Sequence, residues 1–184
     1  EDHDGMPTLA QYDGVEKFKG ILLDASADTV TLRSMEGVEY ILDLDRDVEI
    51  TADGKSVSKM SSSYEDSYAE LYFDKDEKTI TRAVIDTKSD WIQGQLKTSD
   101  TTALSIVDPD DNSTKSYLFD KEETKFYYED KSIPKTSLAR GSFVTVKMGE
   151  KRLEQVWAYP GEYELEGTMV SMDYGTTCTV VAED

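Results

Sequence analysis

The side chains that most often carry out chemistry are scarce in this chain. It holds one histidine, His3, and one cysteine, Cys178. A Ser–His or Cys–His nucleophile needs an imidazole within hydrogen-bond reach, and zinc needs a cluster of His and Cys ligands. A histidine near the N-terminal end and a cysteine in Thr176-Thr177-Cys178-Thr179-Val180-Val181 supply neither. The β-branched run around Cys178 marks a buried structural thiol, and a single cysteine forms no disulfide within the chain. Glycine-rich phosphate loops are missing. A two-carboxylate glycosidase requires a deep cleft in a larger scaffold than small β units provide, although 39 acidic residues offer many pairs. The expectation is a protein that is not an enzyme, with no catalytic residue.

Oxygen-rich segments are the remaining candidates for a cation. Asp43-Leu44-Asp45-Arg46-Asp47 sets carboxylates at alternate positions, and Asp108-Pro109-Asp110-Asp111-Asn112-Ser113 is an acidic hairpin tip. Calcium takes such hard oxygen ligands, but both segments lack the glycine and terminal glutamate of the twelve-residue EF-hand loop. They read as the wet face of a strand and a solvated turn, so no metal or cofactor site is assigned; a calcium-stabilised adhesion module is the minor alternative. The aromatic residues Trp91, Trp157, Tyr127, Tyr128 and Tyr159 offer a stacking surface for a glycan or, preferably, material for packing cores and unit interfaces.

The elements that must position these groups are strands. Val38-Glu39-Tyr40-Ile41-Leu42, Thr79–Ile85 and Ser142–Lys147 alternate apolar and polar residues with β-branched and aromatic enrichment. Turn signals separate them at Met35-Glu36-Gly37, Ala52-Asp53-Gly54, Asp74–Lys78, Pro109–Asn112 and Met148-Gly149-Glu150. Only Ser61–Asp66 and Pro134–Arg140 have room for a helical turn. One long strand is expected to run through the centre of the chain, from Ala83 past Trp91 to Leu96.

The pattern repeats. Gly20-Ile21-Leu22 through Val30-Thr31-Leu32 returns as Gly94-Gln95-Leu96 through Leu104-Ser105-Ile106, and a third start stands at Gly167-Thr168-Met169. The glycines lie 74 and 73 residues apart. Ile50–Lys59 answers Phe126–Lys135, and Ala69–Phe73 answers Val144–Met148. Departures are Asp130 in place of the Gly of Asp53-Gly54-Lys55, and Ser67-Tyr68 set against Gly141-Ser142. The expected fold is all-β: two tandem small antiparallel barrel or sandwich units of five to six strands, with partial flanking strands. Residues 1–17 are the tail of a preceding repeat or an N-terminal extension, 18–91 the first unit, 92–165 the second, and 166–184 the start of a third or closing strands. The opening Glu1-Asp2-His3-Asp4 reads as that of a mature or excised piece.

The glycine-led start, the apolar-Thr-apolar strand and the Asp-Gly-Lys turn resemble the β-repeat domains of bacterial cell-surface proteins that accompany S-layer-homology modules. The resemblance implies an extracellular spacer or adhesive role and transfers no catalytic residue. Charge narrows the range of partners. With 20 basic and 39 acidic residues the net charge is −19, which excludes the basic footprint of nucleic-acid binding and opposes docking on anionic lipid. No apolar stretch reaches the ~20 residues of a membrane span. The expected role is a non-catalytic structural or interaction segment of a secreted or cell-surface protein. Its partners are other modules of that protein and, in the alternative reading, a cell-wall or host glycan.

Overall fold

The computed structural model describes residues 17–160 in full, together with the backbone of strands at 167–173 and 177–182. It is all-β. The first sheet contains β1 (Lys17–Ala25), β2 (Thr29–Ser34), β3 (Glu39–Ala52), β4 (Lys55–Val57), β5 (Tyr68–Asp74) and β6 (Thr79–Asp86), in the order β2-β1-β5-β6-β3-β4. Because β2 also pairs with β3, the five longer strands close into a barrel. Alternation dictates its filling: Val30 and Leu32 of β2, Leu42 of β3 and Leu71 of β5 are fully buried, while the residues between them face outward. Burying each such side chain contributes about 1.5–3 kcal/mol.

The second sheet contains β7 (Trp91–Ser99), β8 (Ala103–Val107), β9 (Thr114–Leu118), β10 (Lys125–Tyr128), β11 (Lys131–Ser132), β12 (Phe143–Met148) and β13 (Leu153–Tyr159). Its order, β9-β8-β7-β12-β13-β10-β11, follows that of the first sheet, with β9 and β10 standing where the two halves of β3 stand. One parallel bridge links Phe119, just past β9, to Leu153 at the start of β13, so that this sheet also curls back on itself. Leu96, Leu104, Val144, Val146 and Val156 form its core. A hairpin of β14 (Gly167–Asp173) and β15 (Thr177–Ala182) follows. The hairpins β1–β2, β7–β8 and β14–β15 all slip register at one place, between Leu22 and Asp24, Leu96 and Thr98, and Met169 and Ser171. In each, the bulged residue is the third after the opening glycine.

That glycine has a steric cause. A Cβ on Gly20 would lie on the carbonyl oxygen of Arg33, and one on Gly94 on that of Val107. The first strand crosses its neighbour too closely for any side chain.

Several expectations need correction. The units are not purely antiparallel, because β3 runs parallel to β6 and β10 parallel to β13. Alternation fixes which face a strand buries and is silent about its neighbour's direction. In the first sheet this order, with one parallel pairing, closes a five-stranded barrel. The second sheet has seven strands rather than five or six, since a turn at Asp120–Thr124 splits the counterpart of β3; the Asp120 carboxylate accepts from Glu122 N and Glu123 N. No strand runs from Ala83 to Leu96. β6 stops at Asp86, whose carboxylate accepts from Lys88 N and Ser89 N at 3.0 and 3.2 Å and turns the chain. Trp91 therefore opens the second sheet instead of ending the first unit. Hydrogen bonding also shifts one alignment: Asp66 N bonds Leu22 O as Gly141 N bonds Leu96 O. Asp66 (φ 63°) thus matches Gly141 (φ 79°), and Ser67 matches Ser142. The two short helical turns form at Ser62–Tyr64 and Lys135–Ser137.

Candidate functional site

The densest arrangement of polar and aromatic groups lies where the two barrels meet. The outer face of β1 and β2 carries Ile21 opposite Arg33, both 7% exposed, although neither belongs to the first core. What covers them is the second barrel. Arg33 donates from Nε and Nη2 to Glu39 Oε1 at 2.9 and 2.7 Å, and from Nη1 and Nη2 to Asp110 at 3.2 and 2.7 Å. Burial opposes the guanidinium charge, and the bonds to Asp110 and Glu39 outweigh it, so the group is held protonated more firmly than usual.

Asp110 is delivered by a stiff hairpin tip. Asp110 N donates to Asp108 Oδ1 at 2.9 Å, Ser113 N donates to Asp111 Oδ1 at 2.7 Å, and Asn112 takes a left-handed φ of 57°. The acidic tip is the exposed turn expected, and from it Asp110 also reaches the first barrel; the bond to Arg33 lowers the Asp110 pKa below its ordinary value.

A second polar link lies deeper. Gln93 Nε2 donates to the carbonyl of Ser34 at 2.9 Å and to Thr145 Oγ1 at 3.0 Å, and Thr145 donates in turn to the carbonyl of Met35 at 3.1 Å. Thr145 is wholly buried and Gln93 nearly so. Trp91 Nε1 and Gln93 Oε1 are buried there with no hydrogen-bond partner among the described residues, a cost of about 1–3 kcal/mol each that the remaining contacts offset. Gly37, at φ 90°, leaves room for Phe143 of the second barrel; a Cβ there would come within 2.7 Å of the ring. The connection of residues 87–90 is pinned as well, since Thr87 donates from N and Oγ1 to Asp53 at 3.0 and 2.7 Å.

The aromatic residues complete the junction. Tyr68 stacks on Trp91 at 4.4 Å, Trp91 contacts Trp157 at 5.5 Å, and Trp157 stacks on Tyr127 at 5.2 Å. Such pairs contribute about 0.5–1.5 kcal/mol beyond their buried area. Trp91 and Trp157 hold inequivalent positions in their strands, and it is β12 between β7 and β13 that brings them together. Each indole contacts two rings, so the four side chains form a continuous, half-buried aromatic ladder. Tyr128 and Tyr159 pack on each other at 5.8 Å beside it. Next to the ladder the barrels leave a cleft of about 430 Å³.

Comparison with known proteins finds no relative: no family model, curated protein or solved structure matches the chain.

The other candidates are scattered. Asp43, Asp45 and Asp47 lie within β3, where Asp45 Oδ1 accepts from Asp47 N at 2.7 Å. Asp45 lies beside Glu77 and raises its carboxyl pKa by like-charge repulsion. Among the described residues no group of three or more His, Cys, Asp or Glu is placed to hold a metal ion. Cys178 falls in β15, and His3 lies outside the described residues. Arg33, Gln93, Thr145 and Tyr68 escaped the sequence reading. Each is an ordinary outward-facing strand residue, and only the approach of a second barrel buries them.

Proposed function

We propose that the chain is a tandem array of one small β-barrel unit, serving as a non-catalytic structural segment of a secreted or cell-surface bacterial protein that holds other modules apart. The observation that carries this reading is the polar lock across the junction, in which Gln93, Thr145 and Arg33 of one barrel or the other bond directly to the facing barrel. A spacer transmits position only if its units cannot rotate independently, and buried directional bonds fix orientation in a way that apolar contact alone does not. The matched strand orders and the common bulge after Gly20, Gly94 and Gly167 support the repeat. The net charge of −19 suits an exposed, non-associating surface.

Spin labels at Ser62→Cys and Lys121→Cys, in a Cys178→Ser background, test the rigidity directly. A single narrow distance distribution is expected, together with small-angle scattering that fits one fixed arrangement of the two barrels. A broad distribution of separations would overturn the spacer reading.

A further inference from the structure

The cleft beside the aromatic ladder has a chemistry that the spacer role does not use. Its walls come from both barrels: Tyr68, Tyr40 and Glu36 from the first, and Trp157, Tyr159, Glu129 and Asp130 from the second. At about 430 Å³ it lies in the range of small-molecule sites, which favour boundaries between domains. Tyr68 and Tyr159 each rest one side against another ring, Trp91 and Tyr128, and both also border the cleft.

The carboxylates are unevenly satisfied. Asp130 takes Lys19 at 3.4 Å across the gap, whereas Glu36 and Glu129 form no ion pair with another of the described residues. The other cation of the cleft, Lys17, is held by Glu70 and lies 5.0 Å from the Tyr72 ring, so it is committed away from these acids. Aromatic faces present negative charge at their centres, and a low-dielectric wall strengthens attraction to a cation. The field is already felt by the protein: burial, together with Glu36, Asp130 and Glu129, pushes the Tyr159 hydroxyl up to about 12.

We propose that this cleft binds an organic cation, an alkylammonium group seated among Tyr68, Tyr159 and Trp157 and countered by Glu36 and Glu129. Lys19 acts as a built-in competitor, an ammonium of the chain's own already resting on Asp130. The group is carried either by a free small amine or by a lysine side chain of another polypeptide, and the chemistry recognised is the same. The proposal is independent of the spacer reading: the barrels can be rigidly locked whether or not an amine enters.

The full chain is titrated with choline, with its neutral carbon isostere 3,3-dimethylbutanol, and with a short oligolysine peptide. Ligand proton resonances are followed for ring-current shifts and broadening, with Trp157 fluorescence as a second readout. Choline is expected to bind saturably and the isostere at least about tenfold more weakly. Glu36→Gln with Glu129→Gln should weaken binding about tenfold, and Lys19→Gln should strengthen it about threefold. Tighter binding of oligolysine than of choline assigns the cation to a polypeptide, and the reverse assigns it to a free amine. Equal binding of choline and the isostere, no saturable binding of any probe, or weakening by Lys19→Gln would each overturn the proposal. Unchanged melting temperatures in the glutamine variants exclude misfolding as the cause of lost binding.

Discussion

Arg33 of the first barrel grips Asp110, at the tip of the β8–β9 hairpin of the second, through two N–H···O bonds of 3.2 and 2.7 Å. The Arg33 side chain is 9% exposed and that of Asp110 68%. The two ends of this bond are therefore unequal. Removing the arginine empties buried space and strands Glu39, whereas removing the carboxylate exposes one side of a guanidinium that Glu39 still holds. Arg33→Ala should cost about 2–3 kcal/mol and Asp110→Ala about 1 kcal/mol, read from urea denaturation of the whole chain. Equal costs would mean that the pair contributes as a surface ion pair and not as a clamp.

The same bond links stability to pH. The bond to Arg33 lowers the folded-state pKa of Asp110 from its ordinary 3.8. A lowered carboxylate pKa contributes stability that is fully present above the unfolded value and is lost as pH falls through the folded one. Wild-type stability should therefore decline below about pH 4. Asp110→Asn should show a shallower decline there and no difference in slope between pH 6 and 8. Parallel acid profiles for the two proteins would remove Asp110 from the account.

Thr145 tests the deeper link. Its hydroxyl accepts from Gln93 and donates to the Met35 carbonyl with no solvent access. Thr145→Val keeps the shape and removes both bonds: the Met35 carbonyl loses its hydroxyl donor, while Gln93 Nε2 keeps its bond to the Ser34 carbonyl. The expected cost is about 1–3 kcal/mol. In spin-labelled protein the inter-barrel distance distribution should broaden too. A destabilised variant with an unchanged distribution would show that Thr145 supports only its own barrel.

Glycine substitutions separate three kinds of constraint. Gly54, at φ 78°, has nothing near its missing side chain, so Gly54→Ala should cost only backbone strain, about 1 kcal/mol. Gly37→Ala adds a clash with Phe143 across the junction, and its effect should shrink in a Phe143→Ala background. Gly20→Ala and Gly94→Ala press a methyl group onto a backbone carbonyl that cannot rotate away, and should cost about 3 kcal/mol or prevent folding. Thermal melts of the four variants should rank in that order; a mild Gly20→Ala would mean that β1 and β2 separate easily.

One exchange shows how far the likeness of the two sheets was legible and where it stopped. Lys17 on β1 lies opposite Tyr72 on β5, and Trp91 on β7 lies opposite Lys147 on β12. In both sheets a lysine lies near the facing ring, at 5.0 and 5.9 Å, but the strands have traded roles. An alignment sees Lys17 against Trp91 and finds no similarity; the cross-strand partner reveals that the pair is kept. The glycine-led period, the strand alternation and the turns were readable because they obey local rules. The Asp-Gly turn at residues 53–54 has both residues at positive φ, while its counterpart keeps only Glu129 there, which is how Asp130 is tolerated in place of glycine.

By itself the sequence determined the all-β class, the buried face of each strand, the turns at residues 35–37, 52–54, 74–78 and 109–112, and the scarcity of reactive side chains. These follow from a two-residue period and from side-chain chemistry, which are properties of neighbours along the chain. Tertiary structure alone decided the parallel closure of β3 on β6 and the burial of Arg33, Gln93 and Thr145. Outward-facing positions on a strand look alike in sequence whether water or another barrel covers them. The junction exists only because two surfaces distant along the chain meet, and no local pattern records that meeting.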